Sequence, residues 1–254
     1  MMRLKDKVAI VTGGETDIGG TTALLFAREG ARIVVGNDSA QKGGEIVSNI
    51  ERERGNAILV KVDTTNATEV KEMIKKIVEV YGRIDVLCNI AGAESSFSVV
   101  DVPEEKWHRV LAANLESVYL TSKYALPAMI EQRSGVIINT SSIFGLVGWP
   151  NAAASCASQG GVIALTKQMA VDYGPHNIRI NCICHAPIFT PSISRLLKRG
   201  KNAETAGDAI AQMHPLGRFV RPEEIGRAAL FLASEESSFI TGVVLPVDGG
   251  YTAK

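Results

Sequence analysis

Asp17 and His185 are the two side chains whose chemistry could be joined in one reacting pair. Each follows an apolar run, Val8-Ala9-Ile10-Val11 for the aspartate and Ile178-Arg179-Ile180-Asn181-Cys182-Ile183 for the histidine, and the ends of these runs are expected to adjoin. A carboxylate beside an imidazole can orient a water or pass a proton near neutral pH. Ser142 and Asn114 would give such a pair polar support. A second signal is the turn Thr12-Gly13-Gly14-Glu15-Thr16-Asp17-Ile18-Gly19. Glycines between a strand and a helix let backbone N–H groups approach a diphosphate at the helix N-terminus. Here the spot that most needs a missing side chain carries Asp17, whose charge opposes that ligand. Cys182 and Cys184 lie two apart on one face of an extended run, with His185 next. With Cys88 and Cys156 they match neither a zinc knuckle nor a disulfide scaffold, so they read as reduced core thiols and no metal is expected.

The elements that must position these groups alternate. Short β-branched runs occur at 8–11, 32–35, 57–60, 85–88, 135–139, 178–183 and 243–246; helical spacing fills Glu69 to Val80, Glu104 to Gln132, Gly160 to Tyr173 and Pro222 to Ala233. That alternation predicts an α/β fold, a doubly wound parallel seven-stranded sheet of Rossmann type, and 254 residues suit a single domain, 1–254. Ligands of such sheets bind outside the carboxyl ends of the strands, so the site should follow Val11, Asn89, Asn139 and Cys184. The loosely patterned segment 190–214 is a candidate lid. Lys plus Arg and Asp plus Glu both count 27, which argues against nucleic acid as a partner and for a small-molecule substrate. No run of eighteen apolar residues predicts a membrane span, and the charged start through Lys7 does not read as a secretion signal, so a cytoplasmic location is expected.

The glycine turn is joined by further marks in order: Asp63, Asn89-Ile90-Ala91-Gly92, Asn114, Asn139-Thr140-Ser141-Ser142, Thr241-Gly242 and Val247-Asp248-Gly249-Gly250. Together they resemble the short-chain dehydrogenases/reductases from about residue 5 to 251. The resemblance implies a cofactor site formed by Gly13, Ile18, Gly19, Asn37, Asp63, Asn89, Ala91, Gly92 and Thr190. Asp63 would contact adenine, Asn37 would stand where members that prefer NAD carry an aspartate for ribose, Asn114 would hold a relay water and Ser142 would orient substrate. It also implies a homo-oligomer, a dimer or homotetramer, paired through helices at 104–132 and 153–174, or assembly with a related active subunit. Leu111, Leu115, Val118, Ile163 and Met169 lie on those helices.

The family's tyrosine lies thirteen residues past its serine in a YxxxK pattern, and that stretch reads Ser155-Cys156-Ala157-Ser158-Gln159. Serine is shorter and far less acidic than a phenol, and neutral Gln159 brings no charge to lower a neighbour's pKa or hold the nicotinamide ribose. The family's Pro-Gly after the sixth strand reads His185-Ala186. The leading expectation is therefore a redox-silent cleft turned to lyase, hydrolase or isomerase chemistry on a small hydroxy or carbonyl compound, with no NAD(H) or only weakly bound NAD(H). NADP is disfavoured because Glu15 is acidic and no arginine stands nearby. The alternatives are a weak NAD-dependent oxidoreductase on a secondary alcohol or ketone, and a non-catalytic subunit. Phe144, Trp149, Trp107, Phe189 and Glu94 are candidate pocket residues, whereas His108, His176 and His214 sit in surface-like contexts.

Overall fold

Alternate residues of each central strand are apolar on both sides, and both sides are covered. The computed structural model describes residues 2–14, 16–90, 92–93, 95–188 and 210–253. Strands β1 (Val8–Thr12), β2 (Arg32–Asn37), β3 (Asn56–Lys61), β4 (Val86–Asn89), β5 (Gly135–Ser142), β6 (Ile178–His185) and β7 (Val244–Val247) form one sheet in the order β3-β2-β1-β4-β5-β6-β7. Every pairing is parallel. Ala9 and Val11 of β1 join a core with α1 (Asp17–Arg28) and α7 (Pro222–Ala233), through Phe26, Ile225 and Leu230. Val8 and Ile10 face a second core with α3 (Ala67–Tyr81) and α5 (Ser117–Gln132), through Met73, Ile77, Leu126 and Met129. A sheet buried on both faces is why its strands read as nearly unbroken apolar runs. Among the described residues the sandwich also includes α2 (Ala40–Arg52), α4 (Glu104–Leu111) and α6 (Ala153–Tyr173).

Two helical segments depart from the periodicity. The run 104–132 is continuous but contains a wider π turn, Ala112–Glu116, with Asn114 buried in it; such turns widen a helix and often mark sites. Helix α6 begins at Ala153 rather than near Gly160. Its first turns are rich in alanine and serine, so no apolar stripe announces them.

A polar thread crosses the centre beneath the strand ends. Asn139 on β5 is fully buried; its Oδ1 accepts from Asn89 Nδ2 at 2.9 Å and its Nδ2 donates to Thr166 Oγ1 at 2.9 Å. Asn89 Oδ1 accepts in turn from Thr121 Oγ1 at 2.9 Å. The thread ties β4, β5, α5 and α6 together with its polar groups paired, as buried polar groups must be. Residues 190–209 of the candidate lid lie outside the described residues. No helix among the described residues is long and apolar enough to cross a membrane.

Candidate active site

The strand order reverses between β1 and β4, and the glycine turn sits at that point. Gly13 has φ +66°, a left-handed conformation that side chains rarely adopt. Thr16 closes the turn, its Oγ1 accepting from Gly19 N at 3.0 Å and donating to Gly13 O at 2.8 Å. A Cβ on Gly19 would lie 2.1 Å from Gly13 O, so only glycine lets the helix start so close to the strand. Ile18 is buried behind the turn, while Asp17 is exposed in the first turn of α1, at the positive end of the helix dipole. The turn opens on a cleft lined by Gly13, Asn37, Asp38, Asp63, Gly92 and Ala113. Asn37 bonds Ser39 in both directions, Nδ2 to its carbonyl at 3.1 Å and Oδ1 from its N–H at 3.2 Å, so it shapes the loop it stands in. Asp63 Oδ1 accepts from Thr65 N at 2.8 Å and Thr65 Oγ1 at 2.7 Å. Asn89 faces the polar thread, and its backbone carbonyl accepts from Thr140 Oγ1 at 2.8 Å. A Cβ on Gly92 would approach Asn114 Oδ1 to 3.0 Å. This backbone-lined cradle fits a dinucleotide, and Asp17 is the group set against it. Ala91 and Thr190, expected to touch cofactor, and Glu15, Glu94 and Phe189 lie outside the described residues.

Beyond β4 the polar residues divide into two kinds. Asn114 is committed to structure: its Oδ1 accepts from Ala93 N at 2.6 Å and its Nδ2 donates to Ala93 O and Ser158 Oγ, both at 2.9 Å. Ser155 is committed as well, accepting from Ser95 N at 3.1 Å and donating to Ser95 O at 3.4 Å. Ser142 is different. Its Oγ accepts from Phe144 N at 3.0 Å, and its hydroxyl hydrogen has no acceptor among the described residues. Gln159 accepts at its backbone carbonyl from Ser141 Oγ at 3.1 Å, but its Oε1 is buried without a partner. Ser95 and Ser158, which hold Ser155 and Asn114 in place, were not legible beforehand.

Asp17 and His185 do not meet. Strands β4 and β5 lie between β1 and β6, which puts roughly 14 Å between the two strands at ordinary spacing. The expected acid–base pair is therefore not formed. His185 stands opposite Ser142 in register, and its Nδ1 donates to Ala186 O at 2.8 Å. Removal from water lowers its pKa below the ordinary imidazole value, and the carbonyl bond opposes this only in part. The folded protein thus keeps the ring neutral where the unfolded chain would take a proton. Stability from this group is present above about pH 6.5 and lost as pH falls, with a limiting slope of about 1.4 kcal/mol per pH unit. The urea midpoint is expected to drop between pH 7.5 and 5.5, and to drop less steeply in His185→Asn. Equal slopes in the two proteins would remove His185 from the account.

Three of the four thiols are core groups, whereas Cys156, expected in the core, is only half-buried. Cys88, Cys182 and Cys184 are buried, and burial pushes Cys88 up to about 12. Cys182 is raised by its bond to Cys184 and by burial. The described residues contain no group of histidines, cysteines and carboxylates able to hold a metal. His214, read as a surface residue, is 3% exposed, and its Nδ1 donates to Asp248 O at 2.7 Å.

The family described as enoyl-(acyl carrier protein) reductase matches residues 14–252. The 3-oxoacyl-(acyl-carrier-protein) reductase FabG of Thermotoga maritima is 40% identical over 98% of this chain and 99% of its own length. Cyclopentanol dehydrogenase of a Comamonas species is 39% identical over the whole of both chains. Among solved structures, a putative short-chain dehydrogenase/reductase from Burkholderia xenovorans superposes with a TM-score of 0.96 at 29% identity, covering 100% of this chain and 99% of that one. Relatives named as oxidoreductases, matched from end to end, overturn the expectation of a redox-silent cleft serving lyase, hydrolase or isomerase chemistry. The separation of the strands carrying Asp17 and His185 also removes the acid–base pair suggested for that chemistry.

Proposed function

We propose, since this chain belongs to the short-chain dehydrogenase/reductase family, that it is a weak NAD(H)-dependent oxidoreductase interconverting a secondary alcohol and its ketone. The observation that carries this reading is the cradle at Gly13 and Gly19, a left-handed glycine pressed against a second glycine at a helix N-terminus. Gly13, Ile18 and Gly19 would hold the diphosphate through backbone, Asn37 and Asp63 the adenosine half, and the Asn89–Gly92 backbone with Thr190 the other half. Asp38 at the adenosine end of the cleft disfavours a 2′-phosphate, hence NAD over NADP. When bound, the nicotinamide gives or takes a hydride. The chain's own part is to hold the substrate oxygen and supply its proton. Ser142, with its N–H contact already filled by Phe144, has a hydroxyl hydrogen to offer a carbonyl, and solvent replenishes it. The name of the Comamonas relative, a dehydrogenase of a cyclic secondary alcohol, supports this substrate class.

Turnover should be slow because neither Ser155 nor Gln159 supplies acid–base help, which is commonly worth about a hundred- to ten-thousandfold. A homo-oligomer, dimer or tetramer, in the cytoplasm completes the reading. Leu111, Leu115, Tyr119 and Leu165 line an apolar groove on the outside of α4 to α6, suited to a second copy, while Val118, Ile163 and Met169 are buried in the chain's own core. Calorimetric titration with NADH and NADPH tests the central point. NADH is expected to bind at millimolar concentration or below and NADPH more weakly; no heat with either at millimolar levels would end the oxidoreductase reading.

A further inference from the structure

A second cavity, of about 110 Å³, lies where β6 and β7 end: Ala186, the residue after β6, and Val247, the last of β7, both line it. It shares no lining residue with the cleft at the glycine turn, and β4 and β5 stand between β6 and β1. Most polar groups of its wall are already paired. Arg218 and Glu224 satisfy each other, Nη1 to Oε2 at 2.8 Å and Nη2 to Oε1 at 2.7 Å. Asp248 Oδ1 accepts from Gly250 N at 3.0 Å, and its Oδ2 accepts from Thr252 N at 2.9 Å and Thr252 Oγ1 at 2.6 Å. His214 differs. It is 3% exposed, lines the cavity, and gives its Nδ1 proton to Asp248 O at 2.7 Å. In the neutral ring that leaves Nε2 as a bare acceptor, and Nε2 has no partner among the described residues. A buried acceptor without a donor costs free energy, so the cavity is matched to an occupant that brings one. The apolar part of the wall, Ala186, Val220, Val247 and Leu216, gains from being covered by carbon. An ion would leave water for a cavity whose own charges are already paired, so a neutral donor is the better match.

We propose that this cavity is a second ligand site, which takes a small neutral alcohol whose O–H donates to His214 Nε2 and whose carbons lie against Ala186, Val220 and Val247. The size agrees: a cavity of about 150 Å³ takes up benzene, so roughly four carbons suit this one. A ketone of the same skeleton has no donor to offer and leaves Nε2 unpaired. The site therefore distinguishes the alcohol from the ketone of one redox couple. It does not rest on the oxidoreductase reading, since it takes the alcohol with or without nucleotide in the cleft.

Nuclear magnetic resonance of protein isotopically labelled at histidine reads the site directly, with the His214 ring signals told from those of His108, His176 and His185 by their loss in His214→Gln. The titrations are made without nucleotide at about pH 8.5, where an imidazole is ordinarily neutral. Butan-2-ol is expected to shift the His214 signals saturably, with half the effect on the order of ten millimolar for so small a ligand. Butan-2-one is expected to bind about 5- to 100-fold more weakly, because it leaves a buried acceptor unpaired. Val220→Phe, which fills the apolar side of the cavity, should abolish the shift. No saturable shift with butan-2-ol, the result for a cavity that holds water alone, would overturn the site. So would equal affinities for alcohol and ketone, or an unchanged shift in folded Val220→Phe. Failure of NADH to bind in its own titration ends the redox reading and leaves these outcomes untouched.

Discussion

Replacing Ser155 with tyrosine and Gln159 with lysine together is expected to raise kcat/KM for ketone reduction by NADH about a hundred- to ten-thousandfold. The gain comes from a phenol that protonates the substrate oxygen and an ammonium that makes this phenol more acidic. The local structure says what else must change. Ser155 Oγ fills both backbone groups of Ser95, so a tyrosine leaves these groups to find water or each other, and stability is expected to fall by about 1–3 kcal/mol. Lysine at 159 meets the reverse situation, because the Gln159 Oε1 it replaces has no partner to lose. Each single replacement should give less than its share, since groups that act as a unit are not additive. The measurement is initial rate against ketone concentration at saturating NADH. An unchanged rate in a folded, NADH-binding double variant would mean that proton delivery does not limit turnover.

The second large effect is on binding. Asp17→Gly is expected to tighten NADH by about 30-fold. A unit charge at 4 Å from another is worth about 1 kcal/mol in water and about 4 kcal/mol at an effective dielectric of 20, and a diphosphate carries two charges. Asp17 is exposed, so the water-like value is the better guide, and two such contacts give about 2 kcal/mol. Repulsion of this kind is screened, so the gap between native protein and variant should narrow from 0.05 to 0.5 M salt. The same carboxylate favours the positive end of α1, and glycine there is less helical, so the variant should also lose about 1 kcal/mol of stability. Equal affinities at low salt would show that Asp17 turns away from the ligand.

The architecture was legible because it is written in periodicities. Ala9 and Val11 face one core and Val8 and Ile10 the other, so the seven strands announce themselves as apolar runs separated by helical spacing. The cradle was legible because Gly13 and Gly19 have no substitute there. What the sequence hid was distance across the sheet. Asp17 and His185 both follow strands, but adjacency depends on strand order, and two strands intervene. It also hid which polar groups are spent: Asn114 and Ser155 look available in one dimension and prove to be bonded to Ser158, Ala93 and Ser95. His214 was misjudged because it closes the loosely patterned segment 190–214, while its neighbours in space are Tyr251 and Asp248.

The chain of amides and hydroxyls from Thr121 through Asn89 and Asn139 to Thr166 is buried and bonds to none of the altered positions of the cleft. Sliding β5 past β4 would leave several buried donors and acceptors orphaned at once, so this layer acts as a key that admits one alignment of the central strands. The surface above it is thereby freed from the duty of specifying the fold. Residues 17 and 159, outside that core, can be exchanged in laboratory selection with their penalties confined to local contacts, which lets an active site be rebuilt there one residue at a time.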